Sequence, residues 1–187
     1  MEPTDANLQA WNERFRRPEQ PSIPQRVRDR LPPLDGLRVL LIEGADTTGA
    51  ELAAAGALVT LTREHVAASS ELPVLQAPPA HLPSELLRAR FDLVYLEPGA
   101  LPAAELDALF TGVHAALRPL GWLVVFDRHP ASGARIDYFE DVTFGPLVTA
   151  VSHAGLAVKR LEEYPAQHDT RVPGEFLLRA EKPPAAA

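Results

Sequence analysis

The sequence contains no cysteine, and this absence removes several kinds of chemistry at once. A chain without thiols forms no disulfide, holds no thiolate-bound metal and has no cysteine nucleophile. Its histidines do not recur at the H-x-x-x-H or H-E-x-x-H spacing of helical metal sites. No Gly-Lys-Ser or Gly-Lys-Thr of a phosphate-binding loop occurs, and Ser132 does not lie in a G-x-S-x-G elbow. No metal site is therefore predicted.

Lysine is nearly absent, and the sequence shows no long apolar run and no signal peptide. Lys159 and Lys182 are the only lysines, and the formal net charge is −7. This balance argues against nucleic acid as a partner, because backbone binding needs clustered Lys and Arg. No apolar run approaches the roughly 20 residues that span a bilayer, so no membrane partner is predicted. The richness in Arg, Ala and Pro suggests a GC-rich bacterial genome, and we expect a cytoplasmic protein.

The sequence does contain a regular alternation of apolar strands and helices. We expect strands at 39–42, 57–61, 74–76, 91–96, 122–126, 156–164 and 174–182, and helices at 48–55, 85–90, 102–117 and 144–154. Alternation predicts an α/β three-layer sandwich with a seven-stranded, mostly parallel sheet. Only about ten residues and no helix separate the last two strands, so these should pair antiparallel.

The chain also divides into three parts. Residues 1–33 read as an N-terminal helical arm, residues 34–183 as the main domain and residues 184–187 as a disordered tail. In the arm, Leu8, Trp11 and Phe15 share one face of a short helix, and a second short helix is expected over Pro24–Leu31.

Four sequence segments of the main domain occur in an order that is informative when they are taken together. They are "FDLVYLEPGAL", "LRPLGWLVVFDRHP", "FGPLVTAVSHAGLAVKRLEEYP" and "VPGEFLLRAEKP". In this order the chain resembles the class I, Rossmann-like S-adenosylmethionine-dependent methyltransferases over about residues 37–183. The opening "LQAWNERF" is similar to that of thiopurine and tellurite methyltransferases. The resemblance implies S-adenosylmethionine as cofactor and transfer of its methyl group to a small molecule.

The resemblance also places the cofactor at the turns that follow the strands. The family's first turn, D/E-x-G-x-G-x-G, corresponds here to a turn that begins Glu43-Gly44-Ala45. The positions of the family's glycines are held by Glu43, Ala45 and Thr47. The acid that binds the ribose corresponds to Arg63, with Glu64 adjacent, and the aspartate that binds the adenine corresponds to Pro78.

These substitutions leave alternatives open at each position. Glu43 is either a ligand carboxylate or a cap of the next helix together with Asp46. Glu64 either contacts ribose or is exposed to solvent, where it could pair with Arg63. Glu97 either faces the ligand or belongs to an ordinary turn. The function itself has an alternative, a non-catalytic methyltransferase-fold protein that serves as a binding or dimerisation module. Binding of a dinucleotide is a third reading, although G-x-G-x-x-G is absent.

No catalytic residue is assigned from the sequence. Asp127 and His129 follow the fifth strand and would suit an acid/base pair, although sequence neighbours on a strand point in different directions. A homodimer is possible.

Overall fold

The computed structural model of the chain describes residues 22–65, 74–102, 104–130, 143–166 and 169–185. The predicted helix with Leu8, Trp11 and Phe15 lies outside the described residues, as do residues 186–187 of the tail. No helix within the described ranges is long and apolar enough to cross a membrane.

Seven strands form one sheet in the order β3-β2-β1-β4-β5-β7-β6. They are β1 (Arg38–Ile42), β2 (Leu58–Arg63), β3 (Val74–Gln76), β4 (Phe91–Leu96), β5 (Leu117–Arg128), β6 (Ala157–Pro165) and β7 (Pro173–Glu181). The first five strands run parallel, while β7 is antiparallel to both β5 and β6. The predicted architecture and the antiparallel pairing of the last two strands are confirmed.

Helices cover both faces of the sheet. They are α1 (Gln25–Arg28), α2 (Asp46–Ala54), α3 (Leu106–Ala116) and α4 (Phe144–His153). Side chains of α1 and α2 pack on one face with Leu41 and Tyr95, and those of α3 and α4 pack on the other with Ile42 and Leu96. Burial on both faces explains why the central strands read as continuous apolar runs.

The helix expected at 85–90 after Ser84 is wrong. This stretch forms turns, and the φ of Ala89 is 49°, which no right-handed helix accepts. The N–H groups of Ala89 and Arg90 donate instead to the carbonyls of Ala115 and Ala116, at 2.9 and 3.0 Å. These donors serve the end of α3, so they are unavailable for a local helix.

The sheet register brings three strand ends to one level. Ile42 of β1 lies opposite Thr62 of β2 and Leu96 of β4. The residues that follow these three positions therefore surround one gap, which we call the crevice. This arrangement confirms the expectation that the ends of strands one, two and four meet.

Residues 22–31, called the arm segment here, are fastened to the domain by burial and by charge. Ile23 and Val27 are buried against the face that α2 covers. Three arginines of the segment form ion pairs with acidic partners on α2, β6 and β7: Arg26 with Glu175, Arg28 with Glu51 at 2.9 Å and Arg30 with Glu162 at 3.1 Å. The predicted second helix of the arm is present, shortened to α1.

Candidate functional site

The crevice lies where the strand order reverses, because β1 has β2 on one side and β4 on the other. Ligands of open α/β sheets bind at such a point, outside the carboxyl ends of the strands. Glu97 stands directly after β4 and crosses this point. Its Oε2 accepts a hydrogen bond from the Ala45 N–H at 2.6 Å, and its Oε1 accepts one from the Thr48 hydroxyl. Glu97 thus holds the turn that leads into α2, at whose N-cap residue, Ala45, no side-chain cap hydrogen bond forms.

The environment of Glu97 acts on its charge in both directions. Burial raises the pKa of the Glu97 carboxyl, and the hydrogen bonds from Thr48 and Ala45 oppose this rise, as does the positive charge of Arg63. Burial also raises the pKa of Tyr95 beneath it, with help from the charges of Glu97 and Glu51. The phenol therefore stays neutral.

Glu43 connects the ends of β1 and β2. Its Oε1 accepts a hydrogen bond from the Glu64 N–H at 2.6 Å. Its backbone has a φ of 54°, in the left-handed region that a non-glycine residue seldom adopts. Its hydrogen bond to Glu64 directs the Glu43 carboxylate towards β2, and the alternative that Glu43 caps α2 together with Asp46 stays a prediction.

Arg63 lies across the first turn at the place that the resemblance gives to an acid. Its Nε donates to the Gly44 carbonyl at 2.7 Å, and its Nη2 lies 3.0 Å from Oδ1 of Asp46. Arg63 therefore pairs with Asp46 and not with Glu64. The Glu64 side chain is left exposed at the end of β2.

Gly44 has a packing role in the turn. A Cβ built on this residue would lie 2.3 Å from Cγ of Leu41, which is buried in the core. The turn therefore needs glycine at this position to pack against β1, irrespective of any ligand.

Five of the six predicted cofactor-binding residues meet at the crevice: Glu43, Gly44, Ala45, Glu64 and Glu97. The sixth, Pro78, follows β3 and is exposed. The preceding residue, Ala77, donates its N–H to the Arg63 carbonyl at 2.9 Å, which places Pro78 next to the end of β2.

Asp127 and His129 have different partners. Asp127 accepts from the Gly99 N–H, with its two oxygens at 3.2 and 3.3 Å, and burial raises the pKa of its carboxyl. Nε2 of His129 lies 2.6 Å from Oε1 of Glu163, and the ring packs edge-on against Phe144. These contacts support a structural role for each residue.

We also searched the described residues for cavities away from the crevice and for groups of metal-binding side chains. Cavities of 520 and 540 Å³ flank α3, and one of 480 Å³ lies at the opposite edge of the sheet beside Arg38 and Arg90. Among the described residues, no group of three or more His, Cys, Asp or Glu side chains could hold a metal ion.

The chain is similar to known proteins in structure, and comparisons of sequence found no match. No protein-family model matches the chain, and no curated protein sequence matches it. A solved S-adenosylmethionine-dependent methyltransferase from Mesorhizobium loti superposes with a TM-score of 0.68 at 20% identity, covering 83% of this chain and 95% of that one. The chain has the class I, Rossmann-like methyltransferase fold.

Two further structures share this methyltransferase fold. A methyltransferase from Archaeoglobus fulgidus gives a TM-score of 0.67 at 16% identity, over 84% of this chain and 91% of that one. The 1,6-didemethyltoxoflavin-N1-methyltransferase of Burkholderia thailandensis, with bound 1,6-didemethyltoxoflavin and S-adenosylhomocysteine, gives 0.60 at 16% identity, over 80% and 72%. At these identities the likeness establishes the fold, and the similarity to thiopurine and tellurite methyltransferases stays a prediction.

Proposed function

We propose that the chain binds S-adenosylmethionine in the crevice and transfers its methyl group to a small molecule. The observation that carries the proposal is the meeting of β1, β2 and β4 at the reversal of strand order, in this fold. The solved proteins with this fold include a methyltransferase that holds S-adenosylhomocysteine and a small substrate. The likeness of fold supports the proposal by analogy.

The residues at the crevice fit the cofactor in chemical type. The exposed carboxylate of Glu64 is suited to accept hydrogen bonds from the ribose hydroxyls, and that of Glu97 suits an ammonium group. The backbone of Gly44 and Ala45 would line the amino-acid part, and Pro78 would lie beside the adenine. The Ala45 N–H and the Gly44 carbonyl are already bonded to Glu97 and Arg63, so the cofactor has to exchange these contacts for its own.

The protein's contribution to the reaction is binding and orientation. S-adenosylmethionine, when bound, supplies an electrophilic methyl group. Holding this group in line with a nucleophilic acceptor supplies much of the rate enhancement, because it removes the entropy cost of a bimolecular encounter. No residue of the chain is assigned a proton-transfer role.

The proposal includes the wider setting that the sequence predicts. Residues 34–183 form the acting domain, and residues 1–33 form its arm. The protein works in the bacterial cytoplasm, as a monomer or homodimer, without nucleic acid as a partner.

Titration with S-adenosylmethionine and S-adenosylhomocysteine, by calorimetry and thermal shift, tests the proposal. A ligand at 100 times its Kd raises the unfolding free energy by about 2.7 kcal/mol. Glu64→Gln should weaken binding by about tenfold or more, as loss of a hydrogen bond to a charged group predicts. Glu85→Gln, at an exposed glutamate outside the crevice, is the matched control.

Two results would redirect the assignment. Absence of binding at millimolar ligand would contradict cofactor use and support the non-catalytic alternative. Stabilisation by NADH instead would support dinucleotide binding.

A further inference from the structure

The arm segment is hydrogen-bonded to the same threonine that holds Glu97. The Ser22 hydroxyl lies 2.5 Å from Oγ1 of Thr48 and 3.1 Å from Oγ1 of Thr47. The Thr48 hydroxyl donates to Oε1 of Glu97, so the hydroxyl of Ser22 is the donor to Thr48. One fully buried threonine therefore joins the arm segment to the end of β4.

A second contact fastens the arm segment one helical turn further along α2. Glu51 accepts from the Ile23 N–H at 3.0 Å and from Nη1 of Arg28 at 2.9 Å. Residues 48 and 51 are three apart, so they share one face of α2. The arm segment thus runs along this face, and Thr48 is the point on that face that also contacts the crevice.

The same contacts close the crevice. The N–H group of Ala45 in this turn is bonded to Glu97, and the Gly44 carbonyl is bonded to Arg63. A ligand that approaches the turn finds these backbone groups already satisfied by the chain's own side chains. Binding has to displace Glu97 from both Ala45 and Thr48.

We propose that the Ser22–Thr48–Glu97 chain is an autoinhibitory latch that couples the arm segment to the crevice. With the arm segment docked, Thr48 is ordered and holds Glu97 against the start of α2. When Glu97 leaves, Thr48 loses its acceptor and the arm segment is held less firmly. Coupling of this kind is reciprocal, so release of the arm segment also favours an open crevice. The ligand half of this inference rests on the proposed function, whereas the coupling half rests on the contacts alone.

The coupling is tested first without ligand, by hydrogen exchange on the full chain. Thr48→Val keeps the shape of the buried side chain and removes the hydroxyl. We expect exchange at the Ile23 and Val27 amides to accelerate by about two- to tenfold, as loss of the neutral hydrogen bond between Ser22 and Thr48 predicts. Thr111→Val, at an exposed position of α3, is the matched control and should leave these amides unchanged. Unchanged exchange in Thr48→Val would overturn the latch, whether or not any ligand binds.

The ligand half is tested with S-adenosylhomocysteine as the probe. A closed state that must open reduces the apparent affinity by the fraction of open molecules, so Thr48→Val should bind about tenfold more tightly than the wild type and Thr111→Val. Equal affinities would overturn the ligand half. Faster arm exchange with no binding by any variant would leave the coupling standing and contradict the proposed function. Ser22→Ala, which leaves Thr48 in place, gives the same two readouts if Thr48→Val does not fold.

Discussion

The carboxylate of Glu97 accepts a hydrogen bond from the backbone N–H of Ala45 at 2.6 Å, and this bond spans the point where the strand order reverses. A helix N-terminus attracts negative charge through its unpaired N–H groups. In this chain a side chain from the neighbouring strand provides that charge. The N–H group of Ala45 at the start of this helix is therefore bonded within the chain.

The same type of contact recurs along this edge of the sheet. Glu43 reaches from β1 to the Glu64 N–H, and Asp127 reaches from β5 to the Gly99 N–H. In each case a carboxylate at the end of one parallel strand holds the turn beyond its neighbour. Three carboxylates thus join neighbouring turns at this edge of the sheet.

Glu97→Gln should change how stability depends on pH. Because burial raises the pKa of Glu97 above its ordinary 4.5, the native state binds this proton more tightly than the unfolded chain does. Its contribution is fully present below about pH 4.5 and is lost as the pH rises through the raised value. The unfolding free energy of the wild type, relative to the variant, should therefore fall as the pH rises from 4.5. Urea denaturation between pH 4 and 8 measures this, and a difference that grows with pH would contradict it.

Glu162→Gln should show the opposite pH dependence. Hydrogen bonds from the Tyr164 hydroxyl, Arg160 and Arg30 hold the pKa of Glu162 at about 2. Its contribution is present above its ordinary 4.5 and is lost as the pH falls towards 2. We expect a destabilisation of about 1 kcal/mol at pH 7, as for a partly exposed ion pair, that shrinks in urea denaturation at pH 3. If the difference in unfolding free energy between the wild type and Glu162→Gln does not change with pH, the variant loses packing and not a charge interaction.

The fold was largely predictable because its strands are buried on both faces. The continuous apolar run at 39–42 and the largely apolar stretch at 91–96 predicted two of these strands. The short connection between the last two strands predicted that they pair antiparallel. The helix expected at 85–90 has suitable residues, and it failed because a tertiary contact takes two of its donors. Local composition cannot report such competition.

The site was predictable only as a set of strand-end residues. Glu43 was predictable because an acid at the end of a buried strand is unusual. Glu97 was predictable because it follows the fourth strand, where the methyltransferases that the sequence resembles often place a substrate-facing residue. Their partners depend on register: Glu43 reaches Glu64 because Ile42 lies opposite Thr62. Ser22 and Thr48 were missed, since their contact joins residues 26 positions apart and no motif marks it.

Gly44→Ala should be destabilising by about 1–3 kcal/mol. The added Cβ would meet Cγ of buried Leu41 at 2.3 Å, and forcing extra volume into a packed core costs energy of this order. Gly145→Ala is the matched control, because a Cβ there meets nothing within 4 Å and the residue lies in α4. The control should stabilise by about 0.5–1 kcal/mol, as alanine does in a helix. Thermal and urea unfolding measure both, and a neutral Gly44→Ala would contradict the packing role of this glycine.

Comparison of Glu43→Gly with Glu43→Ala separates backbone strain from the side-chain bond. Both variants lose the hydrogen bond to the Glu64 N–H, so their difference reports the left-handed φ of 54°. Glycine adopts this conformation without a steric cost, and we expect Glu43→Gly to be more stable than Glu43→Ala by about 0.5–1 kcal/mol. An unfolding free energy of Glu43→Ala that equals or exceeds that of Glu43→Gly in urea denaturation would contradict this. It would mean that the turn relaxes once the carboxylate is removed, and that the Glu43–Glu64 hydrogen bond imposes the left-handed backbone.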